Sequence, residues 1–342
     1  MTERPRVWVS RPTYPDVLAR LQPYCEVGSE PAERKFSAAE LAARLADCDA
    51  AIVGLKERIG AAEIAGARRL RIVANLAVGH DNLDLAALSA AGIAATNTAD
   101  VLNESVADFA WALLLGAARR VGAAERWLRA GHWQSTEFKA WLGMDVRGRT
   151  LGILGMGRIG QAIARRARGF GMDVLYHNRT RLPVAVEHEC NARAVDKSAL
   201  LRDSDFLVLA LPLTPQTRHA IGAAELACMK AQAVLVNVAR GGVVDDAALA
   251  AALREGRLAA AGLDVFEGEP RVHADLLALD NVLLSPHIAS ATIGTRRAMT
   301  AVAVDNVLAW FGHGPHAGRP PNLLNPVVLA AAATFPHQEP TR

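Results

Sequence analysis

Several function classes are excluded by what this chain lacks. Its net charge is only +3, with no run of five or six like charges, so neither a nucleic acid nor a membrane surface is an expected partner. The four cysteines, Cys25, Cys48, Cys190 and Cys228, are far apart and form no C-x-x-C pair. No disulfide framework and no metal site is therefore expected, and they read as reduced structural thiols of a cytosolic protein. The longest apolar run, 109–118, is too short to cross a bilayer. The N-terminal MTERPRVWVSRP alternates charged with apolar residues and lacks the apolar core of a signal peptide. No repeat of solenoid period is visible. What is present is length for two domains and a half-hydrophobic composition that can fill large cores. The expectation is a soluble, cytoplasmic, globular protein.

Strand and helix patterns alternate along the chain, which implies parallel sheets covered by helices on both faces. Residues 6–10 predict a strand, 14–21 a helical segment, and 50–54 and 71–77 two buried strands. Ser37 with Glu40 three residues later predicts a capped helix over 37–48. This first region ends near Thr98. Residues 103–120 predict a long helix with Asn103 as its cap, apolar on most faces and therefore buried between layers or in a subunit contact. The segment 131–149 reads as loop, and its Trp133 and Trp141 face either a partner or their own domain. Strands are expected at 151–154, 174–176, 192–195, 206–211, 233–238, 260–265 and 282–285, with a helix over 245–255. These define a doubly wound dinucleotide-binding domain. A last helix is expected over 292–310, and the end of the Pro-, Gly- and Asn-rich tail reads as disordered.

The organising stretch is 151–160, LGILGMGRIG. Gly155, Gly157 and Gly160 form G-x-G-x-x-G between an apolar strand and a helical pattern, the context that gives this motif its meaning. The first glycine makes the tight turn, the second admits a pyrophosphate, and the third lets helix and strand pack closely. The helix N-terminus offers N–H groups to the phosphates. The next strand usually ends in an acid that binds the ribose 2′-hydroxyl. Here that position is Asn178, followed by Arg179, Thr180 and Arg181. Arg179 offers a planar fork to a 2′-phosphate and Thr180 a hydroxyl, so NADP(H) is expected over NAD(H). The competing reading is a solvated basic turn.

Three polar residues follow apolar strands where ligands bind in this fold: Arg240, Glu269 and His287. Taken with these residues, the glycine loop, VNVARGGVVDDAALAAAL, GLDVFEGEP and SPHIASAT together resemble the D-isomer-specific 2-hydroxyacid dehydrogenases, nearest their glyoxylate/hydroxypyruvate and 2-ketogluconate reductase branch. The likeness spans about residues 45–326. It implies hydride transfer between a nicotinamide and C2 of a small 2-oxo acid. It implies an α/β architecture in which a Rossmann domain (99–287) is inserted into a flavodoxin-like substrate domain (1–98 and 288–326), leaving a tail at 327–342. It also implies a homodimer formed through 103–149.

The resemblance assigns roles residue by residue. Arg240 binds the substrate carboxylate and C2 oxygen, His287 is the acid/base, and Glu269 pairs with it, although Glu267 is the nearer carboxylate by sequence. The other histidines read as surface groups or local hydrogen-bonders. Asp264 faces the nicotinamide carboxamide. Leu211, Pro212 and Thr217 lie on the adenine side, Val238 and Ala239 line the nicotinamide pocket, and Met156, Arg158, Ile159 and Val106 join the cofactor contacts. In the loop 76–84, Val78 and Gly79 hold the carboxylate through their N–H groups, with Leu55 as a side wall. A plain turn is the competing reading of that loop. Trp141 resembles an aromatic that reaches the neighbouring subunit's pocket. Val78 stands where phosphite-oxidising members carry lysine, and Pro286 where formate dehydrogenases carry glutamine, so both activities are disfavoured. NAD(P)-sensing co-repressors share the fold and the Arg, Glu and His, and remain the alternative to an enzyme.

Overall fold

The computed structural model describes residues 3–332. The chain forms two compact units, one built from the chain up to Leu102 and again from Thr292, the other from Asn103–Ala291. Both are all-parallel α/β sheets.

The first unit runs β1 (Arg6–Val9), α1 (Pro15–Leu18), β2 (Glu26–Ser29), α2 (Ala38–Ala46), β3 (Ala50–Val53), α3 (Ala61–Ile64), β4 (Ile72–Asn75), α4 (Leu85–Ala90) and β5 (Ala94–Thr96). Its strand order is β2-β1-β3-β4-β5, the flavodoxin-like order. The period of two sorts each strand between two cores. Val7, Val9, Ile52 and Ala74 pack on one face with Val17 and Leu21, while Trp8, Ala51, Val53 and Val73 pack on the other with Leu41, Leu45 and Leu88. The Ser37–Glu40 capping box forms as the sequence predicts. The expected helix at 14–21 is four residues of α-helix and a 3-10 turn. The exposed edge strand β2, the three-residue β5 and the short helices α3 and α4 are additions to the sequence reading.

The second unit runs α5 (Asn103–Ala118), α6 (Val121–Arg129), β6 (Thr150–Leu154), α7 (Arg158–Ala167), β7 (Asp173–His177), α8 (Val184–Cys190), β8 (Ala192–Ala194), α9 (Lys197–Asp203), β9 (Phe206–Leu209), α10 (Ala223–Cys228), β10 (Val234–Asn237), α11 (Asp246–Arg254), β11 (Ala260–Leu263), α12 (Ala274–Leu277) and β12 (Val282–Leu284). The order β12-β11-β10-β9-β6-β7-β8 reverses at β6, which puts the glycine loop at the topological switch point. Helix α5 is apolar on so many faces because it lies on the sheet. A Cβ on Gly262 would stand 3.0 Å from Leu113 Cβ, and Trp111 donates its indole N–H to Ile163 O of α7 at 3.1 Å. Asn103 is the first helical residue rather than the cap. Helix α6 has no counterpart among the elements expected from the sequence.

The chain then returns to the first unit as α13 (Ile293–Trp310), with Ala303, Val304 and Val307 in the core that holds Val7 and Ile52. A last helix, α14 (Val327–Ala332), opens the stretch expected as a tail. The end that reads as disordered lies outside the described residues. Among the described residues, no helix is long and apolar enough to cross a membrane.

Candidate active site

The three glycines of the loop differ in what surrounds them. Gly155 has φ +99°, and a Cβ there would sit 2.7 Å from the Ala210 carbonyl. A Cβ on Gly160 would sit 2.4 Å from Gly155 O, so the start of α7 is pressed against the strand. A Cβ on Gly157 would meet nothing within 4 Å. That open face, at the residue preceding a ten-residue helix, fits a pyrophosphate. Met156 is fully buried, Ile159 is half-buried and Arg158 is exposed. Val106 of α5 is buried in the same unit.

At the end of β7, Asn178 takes up a structural task. Its Oδ1 accepts the Met156 N–H at 2.6 Å, tying the strand end to the glycine loop. Arg179 and Thr180 are exposed. Arg181 is not available in the same way, because it is bidentate on Glu187 with both contacts at 2.8 Å. Tyr176 OH donates to Glu187 Oε1 at 2.6 Å. The hydrogen bonds from Arg181 and Tyr176 hold the Glu187 carboxyl down to about 2.

The loops that follow β10, β11 and β12 carry the polar triad. These strands are neighbours in parallel register, so the three loops leave the sheet side by side. Arg240 is half-buried after β10, where Asn237 braces the turn by accepting the Ala239 N–H at 3.0 Å and donating to Arg240 O at 3.2 Å. Gly241 has no room for a side chain, since a Cβ would stand 1.8 Å from Phe266 O. His287 Nδ1 lies 2.8 Å from Glu269 Oε2, and Glu269 Oε1 accepts the Phe266 N–H at 3.0 Å. Burial pushes the Glu269 carboxyl up. The hydrogen bond and charge of His287, the Phe266 N–H and the Arg240 charge outweigh it and hold the group below its ordinary value. His287 itself takes a left-handed backbone, φ +55°, a strained conformation for a non-glycine residue.

Asp264 explains how that conformation is held. It is fully buried, and its two oxygens accept from Ser285 Oγ at 2.7 Å, Ile288 N at 2.8 Å and Ala289 N at 2.8 Å. It therefore anchors the loop carrying His287. Glu267, the competing carboxylate, turns away to pair with Arg218 and with His219 Nε2, the latter at 2.9 Å. His219 thus has an acid partner of its own. Val238 and Ala239 are buried, Leu211 is half-buried and Pro212 exposed. The Thr217 hydroxyl is spent on its own loop, donating to Pro212 O at 2.7 Å.

In the first unit, the loop after β4 is braced by buried amides. Asn75 Nδ2 donates to Gly79 O at 2.9 Å and Asn97 Nδ2 to Val78 O at 2.8 Å. Asn82 ties the same loop to the end of β3 through Gly54 O and Glu57 O. The carbonyls of Val78 and Gly79 are engaged, while their N–H groups have no protein acceptor among the described residues. Leu55 is half-buried beside that strand end. These asparagines, with Asn237, Tyr176 and Glu187, are the contributors the sequence reading missed. Asn75 and Asn237 carry a signal, a polar residue at the last position of an otherwise apolar strand, and the others carry none.

Of the two tryptophans, Trp141 packs edge-on against Trp127 with ring centres 5.4 Å apart, beneath Arg120. Trp133 is 59% exposed, and Leu128, Phe138 and Leu142 of the same stretch of chain are exposed as well.

Comparison with known proteins places this geometry. Residues 111–289 match the family described as "D-isomer specific 2-hydroxyacid dehydrogenase, NAD binding domain". The glyoxylate reductase of Thermococcus gammatolerans is 47% identical over 331 residues, 95% of this chain and 97% of that protein. That of Pyrococcus horikoshii is 45% identical, with the same coverage. Among solved structures, an NADPH-dependent glyoxylate/hydroxypyruvate reductase from Sinorhizobium meliloti, in complex with NADP and malonate, aligns with TM-score 0.83 and 39% identity, over 94% of this chain and 97% of that one. The chain belongs to the D-isomer-specific 2-hydroxyacid dehydrogenase family, in its glyoxylate reductase branch.

Proposed function

We propose that this oxidoreductase is an NADPH-preferring reductase of small 2-oxo acids, with glyoxylate and hydroxypyruvate first and 2-ketogluconate as a further candidate, yielding D-2-hydroxy acids. The observation that carries the proposal is the Glu269–His287 pair beside the Arg240 charge at adjacent strand ends. When bound, the nicotinamide supplies the hydride to C2. The protonated His287 gives its Nε2 proton to the carbonyl oxygen and recovers it in oxidation. Glu269 accepts from Nδ1–H, which orients the ring and keeps Nε2 for the substrate. Arg240 binds the carboxylate and polarises the C2 oxygen. The N–H groups of Val78 and Gly79 hold the carboxylate, and Leu55 forms a wall.

NADPH preference is supported by the missing acid at the end of β7 and by the exposed Arg179, and the Sinorhizobium meliloti reductase is described as NADPH-dependent. Asp264 is assigned to positioning His287 as well as to the carboxamide side of the site. The exposed apolar side chains Val121, Leu128, Trp133, Phe138 and Leu142 support a homodimer through this region. A cytoplasmic location fits NADPH-linked reduction.

A panel of 2-oxo acids with NADPH and NADH tests the reading through loss of reduced-nicotinamide absorbance. Turnover of glyoxylate and hydroxypyruvate, faster with NADPH, is expected. No turnover on any 2-oxo acid with either cofactor favours the co-repressor-like sensor instead.

A further inference from the structure

We propose that Glu187, through Tyr176 and Arg181, is a positioning residue for cofactor discrimination: the three form a lock that sets the Arg179–Thr180 turn before any cofactor arrives. The proposal rests on the NADPH preference argued above and deepens it. Two arginines follow the end of β7, and by sequence either offers a charge to a 2′-phosphate. The structure separates them. Both contacts of the Arg181 fork are spent on Glu187. Arg179 has no ion pair or hydrogen bond among the described residues and is exposed.

The turn is fastened at each end. Before it, Asn178 Oδ1 holds the Met156 N–H of the glycine loop at 2.6 Å. Beyond it, the fully buried Tyr176 accepts the Leu182 N–H on its hydroxyl at 2.9 Å, and the same hydroxyl donates to Glu187. Glu187 stands on α8 with 7% of its surface exposed, so its carboxylate is a fixed post rather than a solvated charge. Its negative charge would oppose a phosphate if left bare, and the Arg181 fork neutralises it. What remains is a two-residue span held at 178 and at 181–182, with one uncommitted cation. Fixing such a span in advance removes an ordering cost from binding. The gain falls on the ligand that uses the span, which is the one carrying a 2′-phosphate.

The test measures dissociation constants of 2′,5′-ADP and 5′-AMP, and KM for NADPH and NADH, in the full-length enzyme and in Glu187→Gln, Tyr176→Phe, Arg181→Gln and Arg179→Ala. Glu187→Gln and Tyr176→Phe are expected to weaken 2′,5′-ADP and raise KM for NADPH about fivefold, with 5′-AMP and NADH changed less than about twofold. Glu187→Gln and Arg181→Gln are expected to be non-additive, as members of one network. Equal loss for both nucleotides overturns the proposal in favour of a merely structural network. Tighter 2′,5′-ADP binding in Glu187→Gln overturns it too, because Arg181 would then be a suppressed phosphate ligand. No change in either nucleotide also overturns it. A wild type that binds the two nucleotides equally, with Arg179→Ala indifferent, overturns the NADPH reading itself, so the two failures are distinct.

Discussion

His287 Nδ1 and Glu269 Oε2 stand 2.8 Å apart on two different loops, 18 residues apart in sequence, and the Glu269 carboxyl is held below its ordinary value partly by that contact. A carboxyl depressed on folding stabilises the protein fully above its unfolded value. That contribution is lost as the pH falls through the folded value. The wild type's advantage in unfolding midpoint over Glu269→Gln should therefore shrink as the pH falls below about 5. A difference that grows as the pH falls below about 5 would contradict the pairing.

The glycine loop separates folding from binding. Gly160→Ala places a Cβ 2.4 Å from Gly155 O and should destabilise the protein by about 1–3 kcal/mol in chemical denaturation. Gly157→Ala meets no protein atom and should fold normally, yet lose most dinucleotide affinity by filling the open face. Equal stability losses in the two variants would argue that Gly157 is only a turn residue.

Asp264 accepts three hydrogen bonds from the His287 loop and has no lone pair turned to solvent. In Asp264→Asn one acceptor oxygen becomes an NH2 facing an N–H. Stability should fall by about 1–3 kcal/mol, and kcat should fall further than cofactor affinity does. Loss confined to cofactor KM would instead assign Asp264 to the carboxamide alone.

All four cysteines are free, and only Cys228 is exposed. Burial pushes the Cys48 thiol up to about 12 and the Cys25 thiol up to about 11, and raises Cys190 as well. Iodoacetamide on the native protein at pH 8 should modify Cys228 and leave the other three until denaturant is added. Native labelling of Cys48 would contradict its buried placement.

Much of the architecture was legible because it rests on local pattern. Apolar runs such as 151–154 and 233–238 read as strands buried on both faces, and G-x-G-x-x-G between strand and helix names its own fold. Arg240, Glu269 and His287 stand out because each follows such a run. The bracing was not legible. Nothing in the order of residues says that Asn178 reaches back to Met156, that Asn97 holds Val78, or that Arg181 faces Glu187 rather than solvent. Those pairings join residues brought together only by parallel register and loop geometry. The edge strand β2 escaped notice for the opposite reason: its Glu26 and Ser29 are exposed, so it lacks the apolar run that marks the inner strands.

The most direct test of the account is glyoxylate reduction by His287→Ala, measured beside its NADPH dissociation constant. The proposed proton transfer predicts kcat lower by about 10²–10⁴-fold with NADPH affinity within twofold of wild type. A variant that keeps wild-type kcat while binding NADPH would contradict the assignment of His287, and with it the mechanism.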